Sequence, residues 1–181
     1  MKRQIMALVA TLAASGALAQ SHQPYAGLQS RSVKALSTEQ IADLRAGRGM
    51  GLALSAELNG YPGPLHVIEL ADQLVLNADQ RARMQQLFQQ MKDETIGIGH
   101  RLIAQEEELD RQFADRKITS ASLTASTAAI GQTQAALRAA HLRYHLLAAE
   151  VLTLSQMQRY AELRGYQGEA KSTPHRPGHH R

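Results

Sequence analysis

Leu152-Thr153-Leu154-Ser155-Gln156 reads as the start of a helix. Thr153 is an N-cap whose hydroxyl can accept from a free first-turn amide, and Gln156, three residues on, can reach back to the amide of the cap. Leu152 and Met157 flank the box as a hydrophobic staple. The device recurs at Leu76-Asn77-Ala78-Asp79-Gln80, with an Asn cap, and at Leu36-Ser37-Thr38-Glu39-Gln40, where Ile41 is the staple partner of Leu36. Each box stabilises its helix by about 1 kcal/mol. The composition is rich in Ala, Leu, Gln, Glu and Arg, and no run of alternating β-branched residues competes, so the fold class is all-α.

From Asn77 a long helix is predicted to about Arg116. Its apolar stripe is Met84, Leu87, Phe88, Met91, Ile98, Leu102, Leu109 and Phe113, at helical spacings, with Gly97 and Gly99 as an interruption that bends it. Asp115 to Ser120 is a turn. A second long helix follows from about Ser122 to Val151, with Ile130, Leu137, Tyr144 and Val151 repeating every seven residues. The helix capped by Thr153 ends near Gly165.

On the other side, a first helix runs from Ser37 to about Leu58 and passes through Gly47-Arg48-Gly49-Met50-Gly51. Each Gly costs about 1 kcal/mol there. Two readings stand: Gly47 and Gly51 admit a neighbouring helix closely, or the helix kinks or breaks. A phosphate loop is excluded, since no strand precedes the segment and no Lys-Ser/Thr follows it. Asn59-Gly60-Tyr61-Pro62-Gly63-Pro64 is a turn, and Pro64 opens a short helix through about Val75. The expectation is a long antiparallel helical hairpin with short flanking helices over residues 36–166. Its seams are too narrow to bury a large core alone, which calls for dimerisation.

Met1 to Ala19 reads as a cleaved secretory signal peptide: Lys2 and Arg3, an apolar run from Ile5 to Ala14, then Ala17-Leu18-Ala19. No other segment is apolar enough to span a membrane, and no stable insertion is expected. Residues 20–35 read as an extended leader and residues 167–181 as a disordered His-containing tail. The chain has 20 Lys and Arg against 16 Asp and Glu, a net charge of +4, of which the signal carries two. No basic stripe or aromatic platform accompanies that charge, so nucleic acid is not an expected partner. The absence of Cys removes disulfides and thiolate ligands.

Two boxes of the form Leu-Thr-x-x-Gln in a small exported helical protein resemble the Spy/CpxP family, which includes periplasmic zinc-resistance and heavy-metal sensor proteins. Leu152, Thr153 and Gln156 match the pattern; Leu76 and Gln80 match it with Asn77 in place of Thr. The resemblance covers about residues 65 to 165. It implies antiparallel hairpins pairing into a curved, cradle-like homodimer, a periplasmic location, and a role in the envelope stress response. It also implies ATP-independent chaperoning of unfolded or misfolded envelope proteins, or heavy-metal sensing, with a sensor kinase or anti-sigma factor as listener.

No enzyme is expected: there is no Ser/His/Asp order in a recognisable context, no His-Glu-x-x-His and no glycine loop after a strand. Glu106, Glu107 and Glu108 are expected on a solvated face. A client surface is read at Met84, Leu87 and Met91, edged by Arg81, Arg83 and Lys92. No cofactor is required. His141 and His145 lie one turn apart, so they share a face and can partly chelate Zn, Cu or Ni; by helical phase His141 also fits a packed core position near Leu137 and Ala148. His100 or His66 is the candidate third ligand. The tail carries His175, His179 and His180. Cleavage after Ala19 would leave His22 third in the chain, a position suited to square-planar Cu²⁺ or Ni²⁺.

Overall fold

A computed structural model describes residues 24–166. The signal peptide, His22 and the tail lie outside the described residues. Six helices follow in order: α1 Thr38–Ala46, α2 Leu54–Glu57, α3 Pro64–Glu69, α4 Ala78–Ala114, α5 Ser120–Val151 and α6 Leu154–Leu163. Among the described residues there is no strand, and no helix is long and apolar enough to cross a membrane.

All three boxes form. Ser37 starts α1, Asn77 starts α4 and Thr153 starts α6, each accepting from the amide of the Gln three residues on while that Gln accepts from the cap's own amide. A fourth box, not expected from the sequence, joins Thr119 and Ser122 and starts α5 two residues early. Ser122 does there what Gln does elsewhere, its hydroxyl accepting from the Thr119 amide at 3.0 Å.

α4 and α5 form the expected antiparallel hairpin. Gln80 meets Gln156 and the Val151 carbonyl at its base, Arg143 pairs with Glu94 midway, and residues 115–119 turn the chain at its tip. Two apolar clusters hold it. The base cluster packs Leu74, Leu76, Met84 and Leu87 against Tyr144, Ala148 and Tyr160. The middle cluster packs Val33 and Leu44 against Ile98, Leu102, Ile130 and Leu137. Beyond it the tip is uncovered, with Phe113 and Leu123 exposed.

In the flanking segments, both readings of the glycine segment are met at Gly47, and the other elements depart from expectation. The first helix breaks at Gly47, which caps α1 at φ 65°. Close approach occurs there too: a Cβ on Gly47 would lie 2.7 Å from Thr95 Oγ1. α3 ends at Glu69 rather than near Val75, because turns follow that place Val75 at φ 50°. That conformation is costly for a β-branched residue. Gly99 is a seat for α1, not merely an interruption: a Cβ on it would lie 2.4 Å from the Leu44 carbonyl oxygen. The leader is not extended over its described part. It makes a 3-10 turn at Leu28–Ser30, buries Val33 to 1 % exposure, and ties Lys34 to Asp110 at 2.9 Å.

Candidate functional site

The break at Gly47 and the turn before Pro64 hold two loops off the hairpin, and a cavity of about 620 Å³ lies beneath them. α4 contributes Phe88, Met91 and Lys92 to its wall, and α5 contributes His141 and His145. Met50, Leu54, Leu65 and His66 come from the loops and short helices, and Arg164 and Tyr166 from the end of the described chain.

One wall is tied together by Glu57, the last residue of α2, which is only 6 % exposed. Its carboxylate accepts from the Tyr160 hydroxyl, from the Tyr166 hydroxyl at 2.9 Å and from the Gly63 amide at 3.2 Å. Arg164 Nε lies 3.4 Å away and His145 Nδ1 3.7 Å away. Burial, and then the adjacent carboxylate, push the Tyr160 hydroxyl far above its ordinary range. The phenol therefore stays a donor at any physiological pH. His145 Nδ1 is 2.7 Å from the Tyr61 carbonyl. A carbonyl can only accept, so Nδ1 carries the proton and, in the neutral ring, Nε2 keeps the lone pair.

His141 is different. It is 2 % exposed, and its Nε2 has no hydrogen-bond partner among the described residues. Burial, and then the neighbouring His145, lower its pKa, so the ring is neutral at pH 7.

The structure brings His141 and His145 to one cavity as their spacing predicts, and His66, from α3, lines the same cavity. His66 Nδ1 is engaged with Glu69 Oε2 at 3.0 Å. His100 faces solvent. Among the described residues no three or more His, Cys, Asp or Glu are grouped to hold a metal ion.

The expected client surface needs correction. Met84 and Leu87 are fully buried and Met91 is 8 % exposed, because these three are the hairpin's own core. Arg81 is engaged with Asp72 and the Leu76 carbonyl, and Arg83 with Gln86. Lys92 lines the cavity without an ion pair among the described residues. Glu106 is likewise buried rather than solvated.

Glu57 and Tyr160 were not singled out from the sequence. The one available signal was a lone acid at the end of the apolar stretch before the Asn59-Gly60 turn. The six motif residues Leu76, Asn77, Gln80, Leu152, Thr153 and Gln156 stand together at the base, away from the cavity. Leu76 and Leu152 are buried, and the two glutamines are hydrogen-bonded to each other. No family model, curated protein or solved structure matches the chain.

Proposed function

We propose that this protein is a periplasmic, ATP-independent chaperone of the holdase type, resembling the Spy/CpxP family and acting as a homodimer in the envelope stress response. The observation that supports this reading most is a run of apolar side chains left in solvent around the cavity mouth. Leu54 is 54 % exposed, Leu58 56 % and Tyr61 44 %, with Met50 and Leu65 at 39 % each. Clustered exposed apolar groups suit the transient capture of unfolded chains. The client surface is thus assigned to residues 50–65 and not to Met84 and Leu87. Lys92, without an ion pair among the described residues, and the surface arginines favour encounter with acidic clients.

The test is aggregation of an unfolded client with the purified mature protein, with chelator and with added Zn²⁺ or Cu²⁺. Suppression unchanged by chelator, and reduced several-fold in a Leu54→Ser/Leu58→Ser variant that remains helical, supports the reading. No suppression in any condition refutes it. A second reading, heavy-metal binding or sensing, is favoured by the buried, unpartnered Nε2 of His141 one turn from His145. Suppression or stabilisation that appears only with metal would select it.

A further inference from the structure

The two loops over the cavity rest on the two histidines of α5. At one, a Cβ on Gly49 would lie 3.9 Å from both Nδ1 and Cε1 of His141. At the other, the Tyr61 carbonyl accepts from His145 Nδ1 at 2.7 Å, and a Cβ on Gly63 would lie 2.9 Å from His145 Cε1. The rings are unequal seats. His145 has the Glu57 carboxylate 3.7 Å away, so a second proton there meets an opposite charge. His141 makes no ion pair among the described residues, and its Nε2 is sealed from water with no hydrogen-bond partner. The elements around it offer no free carboxylate. Arg48 in the loop, Lys92 on α4 and Arg164 past α6 bring cations to the same cavity. Glu94 on α4 is held by Arg143 and Tyr144, Asp43 by Arg48, and Glu57 by its tyrosines and the Gly63 amide. His66 from α3 is engaged with Glu69. An imidazolium at His141 is therefore a buried charge without a counter-ion, which opening to water relieves. The loop touching that ring is lightly held. Met50 within it has a left-handed φ of 44°, strained for a residue with a side chain, and the Thr95 hydroxyl reaches the Gly47 carbonyl at 3.4 Å.

We infer that residues 47–51 are an acid-released flap: a proton on His141 lifts them from its ring and opens the cavity onto Phe88 and Met91, while the turn at residues 61–63 stays on His145. With the flap down, burial and then His145 hold His141 below its ordinary value of 6.5. With the flap lifted the ring regains water and takes its proton more readily, so opening binds one proton. The open fraction should therefore grow by up to about tenfold for each pH unit below 6.5. In the chaperone reading, on which this consequence rests, acid enlarges the apolar client surface at residues 50–65. The flap itself does not depend on that reading.

The experiment is an NMR titration of the folded mature protein from about pH 7.5 to about pH 5, with helix content followed by circular dichroism. Two proton contacts are read, Gly49 Hα to the His141 ring and Gly63 Hα to the His145 ring. The first should fade as His141 takes its proton, with the second and the helix content unchanged. Fluorescence of an apolar dye should rise at least about threefold over the same range in the wild type. It should rise as much in His66→Gln, which removes a histidine of the same cavity. It should stay nearly flat in His141→Phe and His141→Gln, two non-titrating replacements of different shape, so that a misfolded variant does not decide the result. A Gly49 contact that persists at about pH 5, loss of both contacts together, loss of helix on opening, or an equal dye response in the His141 variants would each overturn the flap. Client aggregation at the two ends of the titration reads the consequence separately. An opened flap without stronger capture counts against the chaperone reading and leaves the flap standing.

Discussion

Gln80 and Gln156 exchange side-chain amide hydrogen bonds across the base of the hairpin, 2.9 Å in one direction and 3.1 Å in the other. Each also donates to a carbonyl leading into the other's box: Gln80 to Val151 at 3.0 Å and Gln156 to Leu74 at 3.3 Å. Each still accepts from its own cap, Asn77 or Thr153. Helix start and tertiary clamp are therefore one device. Gln80→Ala or Gln156→Ala should each cost about 1–3 kcal/mol, because the partner amide and a backbone carbonyl are left unsatisfied. The double variant should lose clearly less than the sum of the two in urea unfolding, as contacting pairs do.

Gly97 and Gly99, two positions apart, have opposite surroundings. A methyl group on Gly99 would strike the Leu44 carbonyl, whereas one on Gly97 meets nothing within 4 Å. Gly97→Ala should stabilise the protein by up to about 1 kcal/mol through helix propensity. Gly99→Ala should destabilise it, by about 1–3 kcal/mol, by lifting α1 off α4. Thermal melts of the two variants decide this, and equal melting temperatures would contradict the seat.

Two of the buried titrating groups, His141 and Glu106, should give opposite pH responses. His141 is held below its ordinary pKa by burial, so the folded state takes up its proton less readily than the unfolded one. Its contribution is present above the ordinary value of 6.5 and is lost as the pH falls below it. His141→Phe should flatten the fall in stability between pH 7 and 5. Glu106 is held above its ordinary value by burial, so its contribution is present in acid and lost as the pH rises. Glu106→Gln should raise the melting temperature at pH 7 and change it little at pH 3.

Behind the cavity wall, Tyr160→Phe removes a buried donor to Glu57 and should cost about 1.5–3 kcal/mol in denaturant unfolding. Gly63→Ala should also destabilise, since the new methyl would lie 2.9 Å from His145 Cε1, on a ring pinned by the Tyr61 carbonyl.

The hairpin was legible because its signals are local: a cap, a Gln three residues later, and a stripe at helical spacing are all read within one window. The same stripe misled about the site. Met84 and Leu87 look identical on a helical wheel whether they face a client or α5, and only the partner helix decides. The break at Gly47 was one of two local readings, whereas the burial of Val33 and the meeting of Glu57 with Tyr160 and Tyr166 depend on residues tens of positions away, which no window contains together. The histidine pair was legible by its spacing, whereas the unpartnered state of His141 belongs to the assembled cavity.

Glu57 has a further consequence for how the chain comes into being. Its hydroxyl partners lie 103 and 109 residues downstream. A ribosome delivers α1, α2 and α3 long before Tyr160 and Tyr166 exist, so at that stage the Glu57 carboxylate has the Gly63 amide but neither of its hydroxyl donors. This network can close only after Tyr160 and Tyr166 have been made, so its part of the fold is completed late in synthesis.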